Sequence, residues 1–427
     1  MQKTGKLLKI IAINIVIFIL LLEAVALAIY FIKHKTFFYT DSRNREPRET
    51  IQSPLDVDTQ AGKTPEQLTD KRFHPFFGYT YKTGSNNTNN YGFICPYDYP
   101  FKKEHDDQFI IGIFGGSVAD NFYREGCERL SEKLKLNPAF AHKEFVYLNY
   151  AMGGYKQPQH LQILSYFLSI GQELDAVINI DGFNEIIFCF NNNRLNLDIA
   201  MPSAQHFLPM RDLMESRVLD HNKLESLWKI QQYKEKLTRL RQKLRHTPLA
   251  ALHLFYSTTY DHLYKSYRAE LLRFDQLIKP AKNRDSLVNV KYTPASRDDN
   301  YLLAAIASLW SRCSLLMNQA VAVQKPGALY LHILQPNQYY SNKAFTKEEQ
   351  TYSLDRQTAY SVLAEKGYPV LLREIEVLKK NDVAAYSAVN IFDNVKETLY
   401  IDNCCHFNRI GNELLADFIA QCMMQSR

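Results

Sequence analysis

One long apolar run opens the hydrophobic pattern. From Ile10 to Ile32 only Asn14 and Glu23 interrupt it, and about twenty such residues cross a bilayer core. The pattern predicts a membrane helix within residues 1–35, retained as an anchor. Ala26-Leu27-Ala28 has the small-x-small form of a signal-peptide cleavage site, which leaves cleavage open, but the apolar run continues through Ile29, Tyr30 and Phe31, long for a signal-peptide core. Residues 36–72 lose the pattern, and their polar, Pro-containing stretch with the charged run DSRNREPRE predicts a tether. Residues 73–108, rich in Tyr, Asn and Gly, read as an aromatic lead-in along the domain edge.

From Phe109 onward, short apolar runs alternate with helical stretches. Runs near 109–115, 145–150, 176–181 and 328–334 read as buried strands, and Gln157 to Leu168 and Tyr301 to about Gln324 read as helices. That alternation predicts a parallel α/β sheet. More chain lies between Asn184 and the strand at Ala328 than one crossover needs, so residues 190–300 are expected to form a mainly helical insertion ending in a loop from Lys279 to Asn300. Beyond the strand, Gln335 to Tyr340 and charged helices up to Lys380 form a second excursion near the strand ends. A last helix is expected from about Gly411 to Met424.

Within the insertion, Lys229 to Arg245 holds seven Lys/Arg against Glu235 alone, with Ile230, Tyr233, Leu237, Leu240 and Leu244 at three- and four-residue spacing. This is a basic amphipathic helix. Its leucine seam can pack on the domain with the basic face in water, or that face can meet anionic headgroups or glycan. Over the whole chain, 51 basic and 45 acidic residues leave a net charge of +6, which does not imply a nucleic-acid partner. The seven cysteines have no CxxC spacing, which argues against structural zinc. A bridge from Cys404 or Cys405 to Cys189 would tie two loops together, and the sequence leaves that pairing open.

The chemistry gathers where strands end. In IIGIFGGSVAD (Ile110 to Asp120) a strand stops at Gly115 and Gly116 and delivers Ser117 to the start of a helix. There a serine oxygen meets free backbone N–H groups and the positive helix end. NYAMGGYKQ (Asn149 to Gln157) supplies Gly154, INIDGFNE (Ile178 to Glu185) supplies Asn184, and YIDNCCHFNRIG (Tyr400 to Gly411) supplies Asp402 and His406. Singly, each has a structural explanation: helix cap, turn glycine, loop amide, surface histidine. Their joint order carries the functional reading.

Serine, glycine, asparagine and Asp/His in this order resemble the SGNH branch of the GDSL hydrolase superfamily. Ser117 matches the first-block nucleophile, Gly154 the second-block glycine five residues after Asn149, Asn184 the third-block asparagine, and His406 the base. GFNE stands where the family has Gly-x-Asn-Asp, with Glu185 for the usual Asp. Asp402 departs from the family's Asp-x-x-His, whose carboxylate position falls on Asn403. HPFFGY at His74 and NNYGF at Asn89 look like the lead-in of membrane-anchored bacterial members. Gly115, Ser117 and Ala119 spell GxSxA, which argues against an ordinary α/β-hydrolase elbow.

The resemblance implies a three-layer α/β/α fold with a flavodoxin-type parallel sheet over residues 73–427. It implies a serine esterase or O-acyltransferase working through an acyl-serine on acyl esters of cell-envelope glycans or lipids, with no metal or organic cofactor. Ser117, His406 and Asp402 would be catalytic, and Ser117, Gly154 and Asn184 would form the oxyanion hole. It also implies a single-pass protein of the bacterial inner membrane with a periplasmic or extracellular domain. Lys3, Lys6 and Lys9 before the helix, against Lys33, Lys35, Arg43, Arg45 and Arg48 after it, favour the opposite, cytoplasm-facing orientation. The alternative to catalysis is an envelope assembly or glycan-binding module that kept the fold.

Overall fold

The computed structural model describes residues 2–40, 71–84, 87–207, 221–245, 247–278 and 298–426. Most of the tether expected over 36–72 and most of the loop expected from Lys279 to Asn300 lie outside these residues. In chain order the elements are α1 (Gln2–His34), β1 (Lys71–His74), β2 (Gly78–Tyr81), β3 (Gln108–Gly115), α2 (Ser117–Glu125), α3 (Cys127–Lys135) and β4 (Glu144–Asn149). There follow α4 (Gln159–Ser169), β5 (Ala176–Asp181), α5 (Phe183–Arg194), α6 (His221–Arg245), α7 (Ala250–Ile278), α8 (Asp299–Gln324) and β6 (Leu329–Leu334). A 3₁₀ turn at Gln338–Tyr340, α9 (Lys347–Tyr352), α10 (Ala359–Lys380), β7 (Ala384–Ser387) and α11 (Arg409–Gln425) complete the chain.

These elements form two compact units, Met1–Pro65 with Arg217–Lys282, and Glu66–Ser216 with Asn283–Arg427. The first contains α1, α6 and α7. Its α1 carries the apolar segment Ile13–Ile32, long enough to cross a membrane, and packs on α7.

The second unit is an α/β fold around a five-stranded parallel sheet of order β4-β3-β5-β6-β7, flanked by helices. All eight residues of β3 and all six of β5 are buried, because helices cover both faces of such a sheet and a buried strand needs apolar side chains on each. Continuous apolar runs therefore revealed four of the five strands. The fifth, β7, reads Ala-Ala-Tyr-Ser and carried no such run. A further two-stranded antiparallel ribbon, β1 and β2, begins at Lys71, two residues ahead of the expected lead-in, and runs into it.

Strand order positions the chemistry. β3 is flanked by β4 on one side and β5 on the other, so the connections leaving it and β4 diverge around its carboxyl end. In such sheets that divergence opens a crevice where ligands bind. The register aligns Ile113 with Asn149 and Gly115 with Ile180, which brings the loops carrying Ser117, Gly154 and Asn184 to one sheet edge.

Candidate functional site

Ser117 is the first residue of α2, with Gly116 at the cap. A Cβ on Gly116 would stand 2.2 Å from Asn184 Nδ2, so a glycine is required for the amide to approach the serine turn. Asn184 Nδ2 donates to the Tyr155 carbonyl at 2.8 Å. A primary amide carries two N–H groups, and this bond uses one of them. Gly154 has φ +85°, and a Cβ there would run into the His206 ring at 2.2 Å. Both the backbone conformation and the ring demand glycine at that position.

His406 completes the arrangement. Its Nε2 lies 2.6 Å from Ser117 Oγ and its Nδ1 2.5 Å from Asp402 Oδ2. The other carboxylate oxygen, Asp402 Oδ1, accepts the backbone N–H groups of Cys404, Cys405 and His406 at 3.0, 3.1 and 3.2 Å. Burial works to raise the Asp402 carboxyl, but His406 and the backbone donors outweigh it and hold the group below its usual range. The His406 side chain remains 13% exposed and that of Asp402 4%, so the imidazole reaches the surface while the carboxylate is sheltered.

The four-residue separation has a structural cause. Tyr400 and Phe407 pair across an antiparallel bridge, Ile401 N–H donates to the His406 carbonyl at 3.1 Å, and Asn408 N–H donates to the Leu399 carbonyl at 2.8 Å. This closed loop turns Asp402 back under the imidazole. Asn403, the position of the usual spacing, instead offers its carbonyl to the Tyr339 hydroxyl at 2.5 Å. Gln338 Nε2 holds the Asp402 carbonyl at 3.0 Å. The 3₁₀ turn after β6 thus supports the loop, a role visible in sequence only as an excursion near the strand ends.

Neighbouring side chains brace these loops. Asn149 Nδ2 donates to Asp120 Oδ1 at 2.8 Å, Asp120 also pairs with Arg124, and Asn149 Oδ1 accepts from Ala151 N–H at 3.0 Å. Burial raises the Asp120 carboxyl despite these partners. The Tyr79 hydroxyl donates to the Gly153 carbonyl at 3.0 Å and its ring stacks on His206, so the lead-in braces the Gly154 loop. Glu185 Oε1 accepts from Gln157 N–H at 2.9 Å and Oε2 from Gly182 N–H at 2.8 Å. Its extra methylene over Asp lets one carboxylate fasten two of the converging loops.

Among the described residues, two groups of donor side chains lie close enough to share an ion, Cys404–Cys405–His406 and His160–Asp181–Glu185. In the first, His406 is held by Ser117 and Asp402. In the second, Glu185 holds two N–H groups, and Asp181 accepts from Asn179 and Trp310 and pairs with His332 and His160. Each set is therefore engaged within the protein. All seven cysteines are free, so Cys189 forms no bridge to Cys404 or Cys405.

The arrangement can deprotonate a serine, stabilise the resulting imidazolium, and present backbone and amide N–H groups to a developing oxyanion. No protein-family model matches the chain, and no curated protein matches it either.

Proposed function

We propose that the protein is a serine esterase or O-acyltransferase of the SGNH type. The observation that carries this reading is the continuous Ser117–His406–Asp402 chain of hydrogen bonds, at 2.6 and 2.5 Å, opening at a helix N-terminus. His406 Nε2 takes the proton of Ser117 Oγ as that oxygen attacks an ester carbonyl. The tetrahedral oxyanion is held by the N–H groups of Ser117 and Gly154 and by the second N–H of Asn184. Removing one such donor typically slows turnover by about 10²–10³-fold. His406 then returns the proton to the departing alkoxide, leaving an acyl-serine. Water releases the acyl group in an esterase, and a sugar hydroxyl accepts it in a transferase.

The substrate class of this proposal, acyl esters of envelope glycans or lipids, rests on the family resemblance. So does the location, a single-pass inner-membrane protein anchored by α1 with its site in the periplasm or outside the cell. The displaced spacing of Asp402 keeps a non-catalytic assembly or glycan-binding module as the alternative reading. The contact of Asp402 with His406 supports catalysis instead.

Labelling the full-length protein and its Ser117→Ala variant with a serine-reactive fluorophosphonate tests the reading. Labelling of the unaltered protein alone is the expected outcome. Absence of labelling in both, with the fold intact by circular dichroism, would return the binding-module reading.

A further inference from the structure

The first unit places charged and apolar groups together beside the apolar helix. Glu23 lies within the apolar segment, yet its carboxylate accepts the backbone N–H groups of Ala250 and Ala251 at 2.7 and 3.0 Å and the Tyr39 hydroxyl at 2.5 Å. Those N–H groups open α7, where a helix lacks intrahelical acceptors and presents its positive end. So α1 caps α7. Ala26, Tyr30, Phe38 and Ala250 are buried together, and the Tyr30 and Phe38 rings pack on His253 at 5.7 and 5.2 Å. Cleavage after Ala28 would remove this cap and take Ala26 and Leu27 out of the packed cluster. The structure favours a retained helix.

Glu23 precedes Ile32, the end of the apolar segment, by about 14 Å of helix. The first turns of α7 therefore run alongside that segment rather than beyond it. Their outward face is apolar, with Leu249, Leu252 and Phe255 exposed at three-residue spacing and Phe255 at 63%. It then turns polar at Thr258, Asp261 and Lys265.

The helix α6 returns antiparallel to α7, as the contacts of Ser226 with Glu270 at 2.7 Å and of Lys243 with the Tyr256 ring at 5.4 Å require. Its basic end therefore adjoins the apolar tip. Arg239 and Lys243 are exposed and Arg241 is half-buried there. An apolar tip rimmed by cations matches a bilayer surface carrying anionic lipid.

We infer that the α6–α7 tip is a membrane-inserted element: Leu249, Leu252 and Phe255 enter the acyl region of the bilayer that α1 spans, and Arg239, Arg241 and Lys243 bind anionic phospholipid headgroups. The inference rests on α1 crossing a bilayer and is independent of catalysis.

The test uses the full chain in vesicles of phosphatidylethanolamine and phosphatidylglycerol, with and without lipid brominated along the acyl chain. Of the two native tryptophans, Trp310 is buried and Trp228 is 62% exposed, at the end of α6 far from the tip, by about 26 Å. Phe255→Trp in a Trp228→Phe background should be quenched severalfold more than Trp228 in the unaltered chain. Phe18→Trp, in α1, reports the anchor itself. Quenching of Phe18→Trp with none at Phe255→Trp beyond that of Trp228 overturns the inserted tip and leaves the anchor standing. No quenching at Phe18→Trp overturns the anchor and the tip together.

Exchanging phosphatidylglycerol for phosphatidylcholine, which leaves the chain unaltered, should weaken quenching at Phe255→Trp, as should Arg239→Glu, Arg241→Glu and Lys243→Glu combined. Unchanged quenching in both overturns the headgroup contact.

Discussion

Among its described residues, the second unit contains two Ser–His–Asp constellations with nearly the same distances and opposite surroundings. In one, Ser117 meets His406 Nε2 at 2.6 Å and Asp402 meets Nδ1 at 2.5 Å. In the other, Ser314 meets His332 Nδ1 at 2.7 Å and Asp181 meets Nε2 at 2.7 Å. The second set is wholly buried, with His332 at 0% and Asp181 at 1% exposure. Ser314 also sits in the interior of α8, where backbone N–H groups are engaged within the helix, whereas Ser117 opens α2. Distances alone therefore do not define a serine hydrolase site. The two differ in exposure and in position on the helix: of these two sets, the Ser117 set reaches the surface and opens a helix, as the proposed chemistry requires.

The largest expected effect breaks that comparison directly. Ser117→Ala and His406→Ala should each lower turnover of p-nitrophenyl acetate by at least about 10³-fold with the fold retained. Ser314→Ala should leave turnover near that of the unaltered protein and instead destabilise it by about 1–3 kcal/mol, because His332 Nδ1 loses its buried partner. Steady-state kinetics and urea unfolding of the detergent-solubilised protein separate the two. Loss of turnover in Ser314→Ala without loss of stability would show that the buried set takes part in catalysis.

The carboxylates extend the contrast. Asp402→Asn should reduce turnover by about 10²–10⁴-fold, since an amide neither fixes the productive tautomer nor stabilises the imidazolium. Asn403→Ala should change it only modestly. Asp181→Asn should leave the turnover of folded molecules intact but cost about 3–5 kcal/mol of stability, as expected when one partner of a buried charged network is removed. Asp181 is the hub for Asn179, His160, Trp310 and His332. A crippled Asn403→Ala beside a normal Asp402→Asn would move the supporting group to the usual family spacing.

Much of the second unit was legible in the sequence because a doubly covered parallel strand has to be apolar on both faces. That is why β3, β4, β5 and β6 stood out and the short β7 did not. Ser117, Gly154, Asn184 and His406 stood out by their joint order at strand ends and its resemblance to the family blocks, while the His206 ring over Gly154 and the Asn184 amide against Gly116 appear only in the folded chain. The contact of Asp402 with His406 depends on the closed loop between Tyr400 and Phe407, and the sequence gives only its spacing. Glu185 reads as a substitution for Asp until the loops it fastens, far apart in the chain, are seen together. The clasp of Glu23 on Ala250 and Ala251 joins segments separated by more than half the chain, and no local pattern announces it.

Glu185 stands between the two constellations and yields the smallest expected effect. Burial and the neighbouring Asp181 carboxylate raise its pKa from the ordinary 4.5 to about 7, against the opposing pull of His160 and two backbone N–H groups. A carboxyl whose folded pKa lies above its unfolded one holds its proton in the folded state after the unfolded chain has lost it. Its contribution to stability therefore falls as pH rises from about 4.5 to about 7 and levels off beyond. Asp181 and Asp402 are held below their usual range, so the stability they contribute is lost as pH falls through their folded pKa values, beneath that window. Glu185→Gln cannot ionise. It keeps an acceptor for only one of Gln157 and Gly182, so the variant should be less stable than the unaltered protein at pH 5. Between pH 5 and 7 its stability should change less steeply. Urea unfolding at half-unit pH intervals measures both slopes, and equal slopes would show that Glu185 does not titrate in the window between the two sites.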